Sequence, residues 1–358
     1  MNISFTFFSL IEDRYFYGFE KKIKSITKNL NILGFRSNYI NVNDLSIKGI
    51  IKFSKLIYRS NSTFLIVRMI GLKSFLLLFL LIFVRRKIFI EVPTSFTTVN
   101  YEFKISQNKN FKGYFYYTLN FIITPLLLFF YPKIIYYHKE NFPYNIFIKK
   151  KIFIWANGIE VDNILLKSKL TKINNNKIKF VCIGSLAKWH GLDRLLKSIT
   201  FYQRLNNIYK FQINLVGHID SSVFSDPNLI NEYKKNNNEI IFHGLKKDEA
   251  LFNVIKDSNI ALGSLGLSCL KNYNRSELKI REYTAYGIPF LMEANDSDFK
   301  KNNNFIFFVN KNEHIINIGD VINWYNRLDD RICKEMRDFA YLKLDYKIKI
   351  KQFINEIF

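Results

Sequence analysis

A glycine-containing turn in the second half of the chain carries residue types that can bind a phosphate group. The segment FVCIGSLAKWHGLDRLLKSI, residues 180–199, has the pattern of a strand, a turn and an amphipathic helix. Gly184 and Gly191 permit close backbone approach beside Ser185, the helix start offers free amides, and Lys188 supplies a positive charge. The same spacing also fits an ordinary strand-to-helix turn with a solvated lysine, so both interpretations stay open.

A second candidate is a carboxylate in the segment SELKIREYTAYGIPFLM, residues 276–292. Ser276 is predicted to cap a helix, and Glu282 then lies more than one turn inside it. By residue type alone, Glu282 is a solvated helix carboxylate. A weaker phosphate signal is Gly18, which follows the first predicted strand and leads into a helix.

The elements that must position these residues alternate between strand and helix. One series of short apolar runs extends to about residue 160, and a second series then begins. The predicted strands lie in NISFTFFSL, NYINV, FLIVRM, KIFIEV, KIIYYH and KIFIWA, and then in IKFVCIGSL, FQINLVG, EIIFHG, NIALGSL, PFLMEA and FIFFV. This alternation predicts an α/β fold of two Rossmann-like lobes with mainly parallel sheets, separated near the polar run 163–177. Because ligands bind beyond the carboxyl ends of such strands, two facing lobes would form one deep cleft.

The charge of the chain predicts a partner that bears phosphate. The 358 residues include 53 Lys and Arg but only 30 Asp and Glu, a formal net charge of +23. The positive residues are spread along the chain rather than gathered beside aromatic residues, which argues against a nucleic-acid-binding module. The three cysteines have no C-x-x-C spacing and the amino terminus lacks a secretory signal pattern, so a cytoplasmic location is expected.

Two apolar stretches resemble membrane segments in composition. Residues 74–84 are shorter than the roughly 20 residues that a spanning helix needs. Residues 114–131 are longer but contain Thr, Asn and a central Pro. We predict buried or interface-facing helices for both stretches and leave contact with a bilayer surface open.

Several motifs together resemble family 4 of the retaining nucleotide-sugar glycosyltransferases, which have the GT-B fold. These motifs, whose order and spacing cover most of the chain, are YGFEKKI, IWANGIE, CIGSLAKWHGLDRLL, INLVGH, IIFHG and ELKIREYTAYGIPF. The segment IEVPTS, residues 90–95, resembles members that act in capsule, lipopolysaccharide or exopolysaccharide assembly.

The resemblance implies roles for individual residues. Lys188 would bind the donor diphosphate, and Glu282 would accept hydrogen bonds from the two ribose hydroxyls. The acidic residue that contacts the sugar in this family is replaced here by Asn274, and we group Lys188, Asn274 and Glu282 as catalytic. The remaining predicted donor contacts are Gly18, Gly184, Ser185, His190, Gly244, Leu278 and Lys279.

The resemblance also implies the reaction and the domain roles. A sugar would pass, with retention, from a nucleoside-diphosphate sugar to a hydroxyl of a glycan or lipid-linked oligosaccharide, without a metal or another cofactor. Residues 1–165 would bind the acceptor, residues 166–340 the nucleotide sugar, and a helix in 341–358 would pack back toward the first lobe. The enzyme would lie in the cytoplasm, in peripheral contact with the inner membrane, and would not bind nucleic acid. The alternatives are a nucleotide-sugar epimerase of the same fold and a basic module that binds nucleic acid or a membrane surface.

Overall fold

The computed structural model describes most of the chain as two compact units. The described residues are 3–11, 13–70, 73–94, 98–99, 111–139, 148–206, 208–220, 223–224, 226–270, 273–311 and 314–358, with the backbone alone at 13–18, 112, 269 and 270. The N-terminal unit comprises Met1–Gly158 and Tyr346–Phe358, and the C-terminal unit comprises Ile159–Asp345.

The N-terminal unit contains a six-stranded sheet in the order β2-β1-β3-β4-β5-β6, with every described pairing parallel. Its strands are β1 Ser4–Leu10, β2 Arg36–Val42, β3 Phe64–Arg68, β4 Ile88–Val92, β5 Lys133–Tyr136 and β6 Ile152–Ile154. Its first helices are α1 Asp13–Ile32, α2 Ile47–Tyr58, α3 Ser74–Leu80 and α4 Phe111–Leu128.

Both faces of this sheet are covered, as the apolar composition of its strands predicts. In β1, Phe5 and Phe7 belong to one buried cluster, while Phe8 and Leu10 belong to another. The pleat therefore directs alternate residues into two cores, one on each side of the sheet.

The C-terminal unit repeats this architecture with a six-stranded sheet in the order β12-β11-β10-β7-β8-β9, again with parallel pairings. Its strands are β7 Lys177–Ile183, β8 Lys210–Val216, β9 Glu239–Gly244, β10 Ile260–Leu262, β11 Phe290–Met292 and β12 Ile306–Phe308. Its helices are α5 Leu192–Leu205, α6 Pro227–Lys235, α7 Asp248–Lys256, α8 Leu278–Tyr286, α9 Ile318–Asn326 and α10 Arg331–Phe339.

Each predicted strand segment overlaps an observed strand, so the prediction of an α/β fold with two Rossmann-like units is confirmed. The polar run 163–177 does not separate the units, because it packs within the C-terminal unit. The Lys167 side chain is buried there, and its ammonium donates to the Ser258 carbonyl at 2.6 Å. The Lys167 N–H donates to the Tyr286 carbonyl at 2.8 Å.

The chain returns to the N-terminal unit through helix α11, Tyr346–Ile357. Phe353 of this helix stacks on Trp155 with ring centroids 4.3 Å apart, and the Trp155 indole N–H donates to the Lys349 carbonyl at 2.9 Å. The apolar stretch 74–84 forms α3 and part of a following 3₁₀ segment, Ile82–Lys87, and most of 114–131 lies in α4. Within the described ranges, no helix is both long and apolar enough to cross a membrane.

Candidate functional site

Three glycine turns follow neighbouring strands of the C-terminal sheet. Gly184, after β7, has φ of 124°, and Gly244, at the end of β9, has φ of 64°, and both values favour glycine. Gly217 lies between them, after β8. Its N–H donates to the Gly244 carbonyl at 2.8 Å, and a Cβ atom on Gly217 would lie 2.2 Å from the Gly184 carbonyl oxygen. The structure thus brings Gly184 and Gly244 to one edge of the sheet through Gly217. Sequence reasoning assigned Gly217 no role, although it is the last residue of the predicted strand segment FQINLVG.

The turn after β7 exposes two predicted donor contacts. Ser185 and Lys188 are both exposed, and Lys188 begins a 3₁₀ segment, Lys188–His190. A lysine ammonium beside an open glycine turn is a suitable partner for a phosphate oxygen. The geometry therefore agrees with the phosphate interpretation of this turn, while the contact itself remains a prediction.

His190, in contrast, is a buried and neutral side chain. Its Nδ1 accepts a hydrogen bond from the Ala187 N–H at 2.9 Å, which assigns the remaining ring proton to Nε2. Burial, and then the positive charge of Lys279, lowers the pKa of His190 well below its usual value. His190 can therefore offer a neutral N–H donor, but not a second positive charge beside Lys188.

The start of α5 is fixed by a close contact between two glycines. Gly191 has φ of 70°, and a Cβ atom on it would lie 2.5 Å from the Gly266 nitrogen. The loop that contains Gly266 is held by Glu293, whose carboxylate accepts from the Leu267 N–H at 2.7 Å and from the Arg194 guanidinium at 3.1 Å. Glu293 and Arg194 thus have a structural role that the sequence does not reveal.

Helix α8 begins one residue later than predicted. The N-cap is Glu277 and not Ser276, because the extended conformation continues through Glu277, at φ −74° and ψ 129°. The Glu277 carboxylate lies 3.7 Å from the Lys279 ammonium, and both of its oxygens are buried without a hydrogen-bond partner. Leu278 and Lys279 contribute the first N–H groups of the helix, which we predict to contact an anion. The Glu277 carboxylate therefore lies beside these predicted anion contacts.

Lys279 connects this helix to the turn after β7. Its side chain is only 9% exposed, and its ammonium lies 3.9 Å from the Cys182 sulfur near the end of β7. The positive charge of Lys279 also contributes to the lowered pKa of His190, which follows β7 by seven residues. The structure therefore gathers Gly184, His190 and Lys279 in one region of the C-terminal unit.

The inner face of α8 is anchored by an ion triad. The Arg281 guanidinium, which is fully buried, donates to the two Asp296 oxygens at 2.9 and 3.0 Å and to Asp298 at 2.6 Å. It also donates to the Glu277 carbonyl at 3.0 Å. Asp296 and Asp298 form an Asp-x-Asp triplet, a spacing associated with metal binding that sequence reasoning missed. Because both carboxylates bind Arg281, this triplet holds the helix and is not oriented as a metal site.

Glu282 occupies the half-buried side of the same helix, between the buried residues Arg281 and Tyr283. The Tyr283 hydroxyl accepts from the Ile183 N–H at 3.0 Å and lies 3.3 Å from the Leu262 carbonyl. Burial raises the pKa of Tyr283 well above its usual value, so the hydroxyl stays protonated. Helix α8 is thereby tied to the ends of β7 and β10, and Glu282 is positioned by rigid neighbours.

Asn274 belongs to a short bridge with Asn295. The Asn295 side-chain amide donates to the Asn274 side-chain oxygen at 3.2 Å, and the two residues form an isolated parallel bridge. Asn274 lies four residues before the start of α8 at Leu278. Its predicted contact with a sugar remains a prediction.

Gly18 lies inside helix α1, Asp13–Ile32, so the expectation that it precedes the helix is wrong, because the helix begins five residues earlier. Its predicted phosphate contact stays a prediction. In the described part of the chain, no group of three or more His, Cys, Asp or Glu side chains could hold a metal ion. The gathered residues instead offer cations, amides and a half-buried carboxylate, a set suited to an anion that also carries hydroxyl groups.

Several solved structures have a similar fold over nearly the whole chain. An alpha-glucosyltransferase in complex with UDP and a 13-mer DNA containing a central A:G mismatch aligns with a TM-score of 0.64 and 11% identity, over 99% of each chain. An apo structure of OtsA aligns with a TM-score of 0.60 and 11% identity, over 99% of this chain and 98% of the other. A putative UDP-N-acetylglucosamine 2-epimerase from Listeria monocytogenes aligns at 0.51 and 11% identity, over 98% of this chain and 95% of the other.

These similarities extend over nearly the whole chain and, with the two parallel sheets, establish the GT-B type of α/β fold. No protein-family model and no curated protein matches this sequence.

Proposed function

We propose that this protein is a glycosyltransferase that uses a nucleoside-diphosphate sugar. The observation that carries the proposal is the edge of the C-terminal sheet, where glycine turns end β7 and β9, Lys188 is exposed in the turn after β7, and the Lys279 ammonium of α8 lies 3.9 Å from the Cys182 sulfur of β7. This edge lies at the carboxyl ends of parallel strands, where open α/β sheets bind ligands. The similarity in fold to an alpha-glucosyltransferase in complex with UDP supports a nucleotide donor.

The donor would be bound by groups of different chemistry. Lys188 and the first N–H groups of α8, at Leu278 and Lys279, would stabilise the diphosphate, and the His190 Nε2–H would add a neutral donor. Glu282 would accept hydrogen bonds from the ribose hydroxyls, since a carboxylate can accept two at once. Asn274, with an amide in place of a carboxylate, would contact the sugar.

The reaction would proceed with retention at the anomeric carbon, as in family 4 of the retaining enzymes. Negative charge develops on the leaving diphosphate, and fixed cations and amides stabilise it where it forms. The leaving phosphate would help to remove the proton from the attacking hydroxyl on the same face of the sugar, so no protein nucleophile is required. We therefore infer that activity is independent of a metal ion and survives EDTA, and a strict Mg²⁺ or Mn²⁺ requirement would contradict this mechanism.

The acceptor would be a glycan or a lipid-linked oligosaccharide used in bacterial surface polysaccharide assembly, such as capsule or lipopolysaccharide. The N-terminal unit would bind it, and a lipid-linked acceptor would keep the enzyme in the cytoplasm at the inner membrane. This part of the proposal rests on the resemblance of IEVPTS, residues 90–95, to enzymes of these pathways.

A nucleotide-sugar epimerase is the second candidate, because a putative UDP-N-acetylglucosamine 2-epimerase also shares the fold over most of the chain. Such an enzyme changes a stereocentre of the sugar and needs acid and base groups on both sides of the ring. Incubation of the protein with a panel of UDP-, GDP-, ADP- and dTDP-sugars separates the two. A transferase without acceptor slowly releases nucleoside diphosphate and free sugar. An epimerase instead forms a second sugar nucleotide and releases no nucleoside diphosphate.

The donor site is tested with Lys188→Ala and the control Lys197→Ala, which removes an exposed lysine from α5 of the same unit. We expect Lys188→Ala to weaken binding of nucleoside diphosphate by about 10- to 150-fold, the range for a lost hydrogen bond to a charged group. Both variants should melt like the wild type, because each lysine is exposed. Equal affinities of the two variants would remove Lys188 from the site.

A further inference from the structure

An apolar stripe on the N-terminal unit is exposed along the whole length of α4. The inner side of this helix packs against the core through residues such as Leu127 and Leu128. The outer side has exposed residues at helical spacing, and all but Thr118 are large and apolar: Phe111, Phe115, Thr118, Ile122, Leu126 and Phe129. A helix that is apolar on both sides requires a second apolar environment. An 18-residue helix extends the stripe over about 27 Å.

The end of this stripe meets two basic segments at one edge of the sheet. The segment Arg85–Lys87 directly precedes β4, α4 and its following turn precede β5, and Lys149–Lys151 directly precedes β6. Because β4, β5 and β6 are adjacent and parallel, these three segments lie side by side at the amino-terminal edge. We call the α4 stripe together with residues 83–87 and 149–151 the N-unit surface.

Direct contacts join the basic and apolar parts of the N-unit surface. The Lys151 ammonium lies over the Phe129 ring, 4.7 Å from its centroid, and also donates to the Phe129 carbonyl. Phe83, in the segment before β4, is 87% exposed beside Arg85 and Arg86. An aromatic ring and a cation are thus in direct contact just after α4.

The segments that build the N-unit surface contain no acidic residue. No Asp or Glu occurs between Asp44 and Glu91, between Glu102 and Glu140, or between Glu140 and Glu160. At the same edge, Glu356 of α11 pairs at 2.7 Å with Lys133 at the start of β5, whereas the segments of the surface itself carry only cations. An exposed apolar stripe with aromatic residues and an excess of cations is complementary to the boundary between lipid chains and anionic headgroups.

We propose that the N-unit surface docks the protein on a membrane that contains anionic lipids, with the α4 stripe in contact with the lipid chains. Arg86, Lys149 and Lys150, which are all exposed, would contact the headgroups. This inference deepens the proposed function, since it names the surface that would bring the enzyme to a lipid-linked acceptor. Binding of vesicles does not need a functional donor site, so its failure and the failure of the proposed activity are distinguishable.

The test measures sedimentation of the full chain with vesicles of phosphatidylcholine, alone or with one third phosphatidylglycerol. We expect binding to the anionic vesicles and its reversal by salt, because surface attraction is screened. The variant R86Q/K149Q/K150Q should lose at least about tenfold in affinity, as each cation near an anionic surface contributes to binding. The control K234Q/K235Q/K246Q removes the same charge from exposed lysines of the C-terminal unit and should bind within about twofold of the wild type.

A second pair of variants tests the apolar contact. F83S/L126S should bind anionic vesicles at least about tenfold more weakly, since buried apolar area is lost. F201S/L205S, at exposed positions of α5, is the matched control and should bind like the wild type. Four outcomes would overturn the proposal. The wild type could fail to bind anionic vesicles, or the test and control variants could lose vesicle affinity equally. Binding could also be unaffected by F83S/L126S, or equimolar RNA or DNA at physiological salt could displace the protein from the vesicles. The last would assign the cations to a nucleic acid, and the third would show that the apolar stripe does not contact the lipid chains.

Discussion

Replacement of Arg281 by Met should destabilise the C-terminal unit more than any single loss of an exposed ion pair. Arg281 and Asp296 have side chains with 0% exposure, and Asp298 is 13% exposed. Burial raises the pKa of Asp296, while the positive charge of Arg281 and the hydrogen bonds from its guanidinium oppose this effect. Removal of one partner from such a buried pair leaves an uncompensated charge and costs about 3–5 kcal/mol. Asp298→Asn, which changes the partly exposed carboxylate of the triad, should lower the unfolding free energy by only about 1 kcal/mol.

The assay is the urea dependence of hydrogen exchange in peptides that cover α8, which reports the unfolding free energy of this unit. The double variant R281M/D296N removes the unpaired buried charge and should be clearly more stable than Arg281→Met alone. In the single variant the pKa of Asp296 rises further above its unfolded value. Its folded state then binds a proton that the unfolded state has released, so the destabilisation should grow from pH 5 to pH 8. A cost below about 1 kcal/mol, or a double variant no better than the single one, would refute the ion-triad argument.

Three further predictions concern the donor site. Glu282→Gln should weaken nucleoside diphosphate binding by about 1–3 kcal/mol without a change in melting temperature. This loss of binding free energy should be smaller for 2′-deoxy nucleotides, because they lack one of the two hydroxyls. If calorimetry finds that the variant binds both nucleotides as the wild type does, Glu282 is not part of the site. Because the pKa of His190 is lowered in the folded state, its contribution to stability is present above pH 6.5 and lost below it. Wild type should therefore lose ~1.4 kcal/mol more than His190→Gln between pH 7.5 and 5.5 in urea unfolding, and parallel pH profiles would argue against a buried neutral imidazole. Glu277→Gln should strengthen nucleoside diphosphate binding about fivefold, because it removes a negative charge 3.7 Å from the Lys279 ammonium. Weaker binding by this variant would mean that Glu277 contacts the donor.

The sequence is sufficient to predict the strands, because each strand has its own local signal. In β1 and β7, short apolar runs bounded by polar or glycine residues are typical of strands buried on both faces. The two series of such runs also predict the two units. Gly184 and Lys188 are likewise recognisable, since both lie within a few residues of the end of a strand.

The contacts that fix the site depend on strand order, which local patterns do not contain. Gly217 must be glycine because β8 lies beside β7, and only that pairing brings it against Gly184. Asp296 resembles part of a metal-binding triplet in sequence, yet it meets Arg281 from an earlier helix. The predicted cap at Ser276 is wrong for a related reason, since the bridge between Asn274 and Asn295 keeps the chain extended past it.

The nine residues of helix α8 include side chains that we assign to donor binding and side chains that stabilise the C-terminal unit. Its buried face is fixed by Arg281 to the loop after β11 and by Tyr283 to the Ile183 N–H, immediately before Gly184. Its first turn and its half-buried side carry Lys279 and Glu282, the residues that we assign to the donor. The distance between the glycine turn and these side chains is therefore set by rigid contacts before any ligand binds, which is the preorganisation that stabilisation of a leaving diphosphate requires. A substitution on the buried face should thus weaken nucleotide binding even where the unit stays folded, because it moves the donors relative to one another.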